Sequence, residues 1–326
     1  MSFWSGKHVL VTGATGLVGG WLVEQLAAAG ADVVALMRGS ERQSRLWASG
    51  VIKHISAVTG SLEDYAAVER AVVQHDVDTI FHLAAQTLVG VAERSPLQTL
   101  ETNVRGTWHV LEVARVHSQL VRRVVVASSD KAYGDAGELP YTEDMCLVGR
   151  GPYDVSKSCA DLIATSYSST YGVPVAIVRC ANIYGGGDLN WSRLVPGTLR
   201  SLIRGEQPVL RSDGSFLRDY LYVEDAVDAY LCVGERLETL TPGDAFNFSS
   251  ESPLRVMELY REICAAFGQP DTPPCILGGA RKEIKSQCLR AEKARRRLGW
   301  SAKHDLRQGL GKTVDWYRAH LAAVAS

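Results

Sequence analysis

Gly13-Ala14-Thr15-Gly16-Leu17-Val18-Gly19 lies between an apolar run, His8-Val9-Leu10-Val11-Thr12, and a helix-like stretch from Trp21 to Ala29. This order of strand, glycine-rich turn and helix is typical of dinucleotide sites, because glycine permits positive φ and lets backbone N–H groups approach a pyrophosphate. The helix N-terminus adds a partial positive charge. An ordinary strand-to-helix turn without a ligand is the alternative. We predict that the cofactor contacts here are Gly13, Thr15, Gly16, Leu17 and Val18.

The composition is that of a globular protein with a large core: 326 residues, 46% hydrophobic and 22% charged. A formal net charge of −1 gives no electrostatic case for binding nucleic acid or a membrane surface. No apolar run is long enough to cross a bilayer, and Met1-Ser2-Phe3-Trp4 leads straight into the first predicted strand. The seven cysteines are scattered, and no His/Cys cluster has metal-ligand spacing. We expect a cytoplasmic protein without a secretory leader, a disulfide framework or a bound metal.

Apolar runs rich in β-branched residues alternate with amphipathic stretches through the first half of the chain. The predicted strands are His8–Thr12, Val33–Met37, Ile55–Val58, Thr79–Leu83, Val124–Ser128 and Val175–Arg179. The predicted helices are Leu17–Ala29, Tyr65–Gln74, Leu97–His117 and Tyr153–Tyr171. This alternation predicts a parallel sheet with helices on both faces. The fold class is therefore α/β, a doubly wound parallel-sheet Rossmann fold.

From Ala181 onward the alternation is lost, beginning with a glycine-rich loop at Gly185-Gly186-Gly187-Asp188. The predicted elements beyond it are helix Val195–Arg204, a strand pair within Val209–Asp219, helix Val223–Arg236, strand Phe246–Phe248, and helices Pro253–Phe267 and Glu292–Leu298. We expect residues 1–180 to form a cofactor-binding domain, to which roughly 221–248 return. Residues 181–326 would form mainly a smaller, interleaved C-terminal substrate lobe.

Two segments carry the predicted chemistry. Ser128-Ser129-Asp130-Lys131 ends a core strand, where open α/β sheets bind ligands. Tyr153 and Lys157 begin a helix, and their spacing places them on one face, one turn apart. A lysine cation near a phenol lowers the pKa of the phenol, which can then take a proton from an alcohol while hydride leaves the same carbon. The Ser129 hydroxyl can bond the same oxygen, so we predict a catalytic centre rather than incidental helix-surface residues.

At these residues the chain resembles the extended short-chain dehydrogenase/reductase family of nucleotide-sugar epimerases and dehydratases. The resemblance covers nearly the whole length. Besides the glycine turn and the Tyr153/Lys157 pair, the matching segments are His82-Leu83-Ala84-Ala85-Gln86, Thr102-Asn103-Val104-Arg105-Gly106-Thr107, Arg218-Asp219-Tyr220, Val223-Glu224-Asp225, Lys293-Ala294 and Leu298-Gly299-Trp300. It implies an NAD- or NADP-binding Rossmann domain, a nucleotide-sugar substrate and a two-fold dimer.

Within that family, further details resemble the CDP-glucose 4,6-dehydratase branch. They are Phe3-Trp4 with Gly6-Lys7, Ala85-Gln86-Thr87-Leu88-Val89, Ser129-Asp130-Lys131, Gly185-Gly186-Gly187-Asp188 and Arg193-Leu194-Val195-Pro196. Most sugar 4,6-dehydratases carry glutamate where this chain has Lys131, so the Asp130–Lys131 pair is the sharpest marker of the branch.

The resemblance implies a dehydratase mechanism on CDP-D-glucose. Tyr153 removes the 4-hydroxyl proton during C4 oxidation, the 4-ketone acidifies the C5 proton, and water leaves across C5–C6 before hydride returns to C6. Asp130 would be the acid, and Lys131 the base or its helper. Lys131 can act as a base only if its pKa is depressed, and the alternative is a cation that merely orients Asp130.

The residues predicted to contact the cofactor at the ends of the strands do not decide between NAD and NADP. Arg38 stands where NAD-binding proteins present an acidic residue, and an arginine there can accept the 2′-phosphate of NADP, whereas the branch favours NAD. An arginine stacking on adenine is the alternative. The other predicted cofactor residues are Ser61, Leu62, Leu83, Ala84, Ala85, Tyr153 and Lys157.

Arg218 is the leading candidate for the substrate pyrophosphate, because a guanidinium fork matches phosphate oxygens. Its alternative is a surface arginine. The other predicted substrate residues are Gln86, Ser129, Asn182, Arg193, Leu194 and Arg281.

In the family, helices Leu97–His117 and Tyr153–Tyr171 form the two-fold interface, which predicts a homodimer. An apolar stripe at Leu100, Val104, Trp108 and Leu111 fits such a face, or it packs only on its own sheet.

Two other functions stay open. A nucleotide-sugar 4-epimerase or a related oxidoreductase needs Tyr153, Lys157 and Ser129 but has no use for Asp130 with Lys131, and departures from the branch at Ala132 and Tyr184-Gly185 leave room for it. A non-catalytic NAD(P)-binding regulator would keep the fold, although such proteins usually lose the tyrosine or the lysine.

Overall fold

A computed structural model describes residues 2–279 and 284–325. Its centre is a sheet of seven parallel strands in the order β11-β6-β5-β4-β1-β2-β3. These strands are β1 His8–Thr12, β2 Asp32–Met37, β3 Ser56–Thr59, β4 Thr79–His82, β5 Arg123–Ser129, β6 Val175–Cys180 and β11 Ala245–Phe248. The strand order reverses between β1 and β4, and such a reversal opens a crevice at the carboxyl edge of a sheet. The prediction of a doubly wound Rossmann fold is confirmed.

Helices cover both faces of the sheet, as the continuous apolar strands require. The α-helices of the described residues are α1 Leu17–Ala28, α2 Arg45–Ala48, α3 Tyr65–Val73, α4 Val89–Arg94, α5 Pro96–Leu100, α6 Gly106–Val116, α7 Pro152–Tyr171, α8 Leu194–Ile203, α9 Val223–Arg236, α10 Val256–Phe267, α11 Glu292–Leu298 and α12 Leu306–Ala325. One core cluster packs α1 and α9 on β1, β5 and β6, and a second packs α3, α6 and α7 on the opposite face. None of these helices is long and apolar enough to cross a membrane.

The long helix predicted over Leu97–His117 is interrupted. A π-helical turn, Glu101–Arg105, separates α5 from α6. Its wider hydrogen bonding rotates the side chains that follow relative to those before it. Along the predicted apolar stripe, Leu100 before this turn is 38% exposed and Trp108 after it is 40% exposed, whereas Leu111 is completely buried in the core.

The second half of the chain differs from the prediction in its short strands. The remaining strands are β7 Asn182–Tyr184, β8 Val209–Leu210, β9 Leu217–Arg218, β10 Tyr220–Tyr222, β12 Leu254–Arg255 and β13 Cys275–Ile276. The strand pair expected within Val209–Asp219 is wrong, because β8 pairs with β13 and β9 with β12. Strands of two residues carry too little pattern to specify a partner, so the packing of the lobe selects it.

Candidate active site

The glycine turn is packed directly against the loop that follows β4. Gly13 has a φ of 76°, and a Cβ there would lie 2.7 Å from the backbone nitrogen of Ala84. A Cβ at Gly19 would lie 2.0 Å from the Gly13 carbonyl oxygen, so a side chain at either position would displace the backbone. The turn thus brings the loop containing Leu83, Ala84 and Ala85 beside the start of α1.

The start of α1 is suited to an anion. Gly16 caps the helix in an extended conformation, and no side chain accepts a hydrogen bond from its first turn. The first amides of a helix, here including those of Leu17 and Val18, have no carbonyl one turn earlier. Together with the absence of an acidic residue in that turn, this geometry fits the pyrophosphate of a dinucleotide.

Buried hydrogen bonds join strand β1 to β4 and to helix α6. The Thr12 hydroxyl is 2.9 Å from Nδ1 of His82, and Nε2 of His82 is 3.0 Å from the Thr107 hydroxyl. Burial and the charge of Lys157 lower the pKa of His82 to about 3, so this imidazole is neutral at physiological pH. One ring nitrogen therefore donates and the other accepts, which holds the carboxyl end of β4 in place.

Asn103, which lies in the π-helical turn, was missed as a functional residue. Its Oδ1 accepts from the Gln86 amide at 2.7 Å, and its Nδ2 donates to the Gln86 carbonyl at 3.0 Å and to the Ser156 hydroxyl at 2.9 Å. Asn103 therefore ties the loop after β4 to the helix that carries Tyr153. A π turn inside a helix is a frequent mark of a functional site, but its position is not readable from sequence periodicity.

Tyr153 and Lys157 lie on one buried face of α7, as their spacing predicts. Lys157 donates a 2.8 Å hydrogen bond to the Ala127 carbonyl of β5. Burial lowers the pKa of Lys157 to about 8, and the carboxylate of Asp161 opposes that shift.

The pKa of Tyr153 differs from the expectation. Burial raises it to about 12, although the charge of Arg193 and a hydrogen bond with Ser129 act in the opposite direction. Because desolvation outweighs these contacts, the phenol is neutral at physiological pH rather than poised as a phenolate. The cation that counters the shift comes from the C-terminal half of the chain, not from the lysine one turn away.

Ser129, Asp130 and Lys131 stand where β5 becomes a short 3₁₀ turn, Asp130–Tyr133. The Ser129 hydroxyl donates to Oδ1 of Asp130 at 2.9 Å and accepts from the Lys131 amide at 3.2 Å. Asp130 is 2% exposed, and its Oδ2 has no hydrogen-bond partner among the described residues. The Lys131 ammonium donates to Oε1 of Gln287, a residue that the sequence did not single out.

A buried ion pair holds α7 against the sheet. Arg179 on β6 donates two 2.8 Å hydrogen bonds to the carboxylate of Asp161, and its remaining nitrogen donates to the Tyr133 hydroxyl at 2.7 Å. Removing one partner of such a pair costs about 3–5 kcal/mol. Arg179 thus connects the helix of Tyr153 and Lys157 to the 3₁₀ turn of Asp130 and Lys131.

The edge formed by the ends of β2 and β3 carries the remaining predicted cofactor residues. Arg38 is exposed there, whereas the Leu62 side chain is buried against α6. The carboxylate of Glu63, which the sequence reasoning overlooked, accepts hydrogen bonds from Ser61 and Thr102. Despite burial, these bonds and the charge of Arg38 hold the pKa of Glu63 below its usual value. Arg38 therefore faces a carboxylate that sequence position alone does not reveal.

Arg193 is the predicted substrate residue that the fold brings to Tyr153. Its guanidinium bonds Asp188 at 3.0 Å and the Thr87 hydroxyl at 3.1 Å, so it spans from the lobe to the loop after β4. Its charge also acts on the buried phenol of Tyr153.

Most of the other predicted substrate residues make hydrogen bonds within the protein itself. Gln86 bonds the backbone of Leu88, and Asn182 bonds the Asp219 carbonyl at 3.2 Å. Leu194 opens α8. Arg218 is buried and donates to the carbonyls of Leu217 and Lys285 at 2.9 and 3.2 Å. Arg281 lies outside the described residues.

Comparison with known proteins identifies this arrangement. The family model described as the NAD dependent epimerase/dehydratase family matches residues 9–249, which include the glycine turn, Ser129, Tyr153 and Lys157. The chain belongs to this family. Its members are NAD-dependent, and the resemblance expected from the sequence is confirmed.

Individual relatives agree with this assignment. The chain is 30% identical to the CDP-glucose 4,6-dehydratase of Salmonella typhimurium, over 98% of this chain and 92% of that protein. It resembles the crystal structure of a dTDP-glucose 4,6-dehydratase from Streptomyces venezuelae solved with NAD bound, with a TM-score of 0.88, 27% identity and coverage of 97% and 98% of the two chains. A UDP-glucose 4-epimerase from Thermotoga maritima gives a TM-score of 0.87 at 26% identity, covering 96% and 99%.

Proposed function

We propose that this protein is a nucleotide-sugar 4,6-dehydratase, with CDP-D-glucose as the favoured substrate. The observation that carries the proposal is the placement of Asp130 and Lys131 beside Ser129, with one carboxylate oxygen of Asp130 buried and unpartnered. A 4-epimerase needs an alcohol-oxidising centre only, whereas a dehydratase also needs an acid and a base for the loss of water. The family relatives, which include 4,6-dehydratases, support this choice.

The residues of the glycine turn and of the β4 loop fit a bound NAD. The uncapped amides of α1 would hold its pyrophosphate, and the close approach of Gly13 to Ala84 brings the β4 loop beside them. When bound, oxidised NAD supplies a hydride acceptor and a positively charged ring.

Tyr153 and Ser129 would handle the sugar 4-hydroxyl. A phenol whose pKa is about 12 becomes a base only when nearby cations offset its burial. Among the described residues, Arg193 acts directly on the phenol, and Lys157 is a second cation on the same helix face. Ser129, whose hydroxyl helps to lower the pKa of Tyr153, can hold the same sugar oxygen.

Asp130 and Lys131 would carry out the elimination. The Lys131 amine takes the C5 proton, and the electron pair of that C–H bond forms the C5–C6 double bond. Asp130 gives its proton to the 6-hydroxyl as the C6–O bond breaks, so water leaves.

A nucleotide-sugar panel tests the proposal. We expect the purified protein to convert CDP-glucose to a product that absorbs in the near ultraviolet after alkali treatment, as 4-keto-6-deoxy sugars do. The dTDP-, UDP- and GDP-hexoses are the comparison set. An isomerised sugar without this absorbance would assign the protein to the epimerases, and no consumption of any sugar would favour a regulator.

We also propose NAD rather than NADP as the cofactor of this chain. The Glu63 carboxylate faces Arg38, so the arginine already has an anionic neighbour and a 2′-phosphate would meet a negative charge. The family supports the same choice.

Replacing Glu63 should shift this preference. Glu63→Gln keeps the hydrogen-bonding shape but removes the charge, and we expect NADP affinity to rise by about fivefold to tenfold, equivalent to roughly 1 kcal/mol of relieved repulsion. Arg38→Ala in the same background should abolish the gain. Titration calorimetry with both dinucleotides measures it, and an unchanged NADP affinity in Glu63→Gln would refute the role of this carboxylate.

The domain division, assembly and location stay proposals. In support of the division, β11 returns to the sheet beside β6, whereas β8, β9, β12 and β13 lie outside it. In support of a homodimer, α5, α6 and α7 expose large apolar side chains, namely Leu97, Leu100, Trp108 and Leu162. We propose that these helices pair with a second copy and that the enzyme works in the cytoplasm.

A further inference from the structure

Gln287 lies at the active site although it comes from the end of the chain. Its segment runs between two elements: its amide donates to the Leu217 carbonyl at 3.1 Å, and on the other side the Tyr141 amide donates to the Cys288 carbonyl at 2.8 Å. Isolated parallel bridges at Leu217 and Tyr141 accompany these bonds. The backbone at Gln287 is therefore held from both sides, and its side chain is completely buried.

The two ends of the Gln287 amide are used differently. Its Oε1 accepts a hydrogen bond from the Lys131 ammonium, whereas its Nε2 has no partner among the described residues. A buried N–H without an acceptor is unfavourable, and in native structures it calls for an explanation such as a ligand.

A second unpartnered atom lies next to the same lysine in the chain. Oδ2 of Asp130 is buried and lacks a hydrogen-bond partner among the described residues. The two neighbours of Lys131 thus offer an unused donor, Nε2 of Gln287, and an unused acceptor, Oδ2 of Asp130. A hydroxyl both accepts and donates, and it is the group that satisfies such a pair. A hexose presents this group.

We propose that Gln287 is a positioning residue for the loss of water: its carbonyl holds Lys131 at the sugar, and its N–H binds a sugar hydroxyl. This inference rests on the proposed function, since it assigns Gln287 to the elimination and not to the oxidation at C4. The oxidation belongs to Tyr153 and Ser129, whereas the side-chain hydrogen bond of Gln287 is with Lys131.

The test measures the oxidation at C4 and the elimination of water separately in the variant Gln287→Met. This change keeps the length of the side chain but removes its amide. When the Gln287→Met enzyme is mixed with NAD and CDP-glucose under single-turnover conditions, we expect reduced nicotinamide to form at the wild-type rate. Its decay should slow by about 10- to 100-fold, since misplacing a general base forfeits part of its contribution. Deuterium at C5 should then slow the variant more than it slows the wild type, and the dissociation constant of CDP-glucose should rise severalfold.

A double-mutant cycle decides whether Gln287 acts through Lys131. In the Lys131→Met background, Gln287→Met should not slow the elimination further but should still weaken sugar binding. Cys288→Ser, the neighbouring residue on the same segment, is the matched control, and Gln287→Leu is the second variant should Gln287→Met not fold. Equal slowing of both steps, or additive slowing in the double variant, would overturn the inference. Wild-type enzyme that makes no 4-keto-6-deoxy sugar would instead overturn the proposed function.

Discussion

Tyr153→Phe should reduce cofactor-dependent oxidation of the sugar by about 10²–10⁴-fold, the range that a positioned general base contributes. The ring would still fill its buried site on α7, so the fold and the NAD affinity should persist. What is lost is the phenolic oxygen that we propose takes the proton of the 4-hydroxyl. Stopped-flow absorbance of the reduced nicotinamide measures the step without requiring the later ones.

Tyr260→Phe is the matched control for this change. Tyr260 is also a buried tyrosine, and its hydroxyl donates to the Thr272 carbonyl at 3.0 Å in the C-terminal half of the chain. We expect the Tyr260→Phe variant to lose about 1 kcal/mol of its free energy of unfolding and to keep its activity. Cofactor reduction at the wild-type rate in Tyr153→Phe would remove this residue as the base.

Lys131→Met should leave the oxidation intact and stop the elimination, with about a 10²–10⁴-fold loss of 4-keto-6-deoxy product. The variant should therefore accumulate reduced cofactor on mixing with the sugar. This result separates Lys131 from Tyr153, because each variant fails at a different step of one reaction.

Lys131→Arg distinguishes a base from a cation that only orients Asp130. An arginine keeps the positive charge but does not lose its proton in proteins. If Lys131 removes the C5 proton, the arginine variant should be as inactive as the methionine variant. Recovery of turnover by arginine would assign the lysine to orienting Asp130, and Lys293→Met, a lysine paired with Asp244 at 2.9 Å, controls for the loss of a charge.

The central sheet and the catalytic helix were predictable because their signals are local. Each βα unit has its own apolar period, and the glycine turn identifies the first of them. Tyr153 and Lys157 share one helix, so their alignment needs only the helical repeat. The interrupted helix around Glu101–Arg105 was not predictable, because a π turn leaves no periodic trace.

The order of residues along the chain was thus enough to predict the Rossmann sheet, the glycine turn before α1 and the catalytic candidates Asp130 and Lys131. The contacts of these groups came from folding: Gln287 reaches Lys131 across 156 positions, and Arg193 reaches Thr87 across 106. The pKa of Tyr153 likewise depends on burial, which raises it against the expectation drawn from the nearest lysine, and on a distant guanidinium, which lowers it. Hydrogen bonds and charges act through space, so their partners depend on how the lobe packs on the sheet and not on spacing in the sequence.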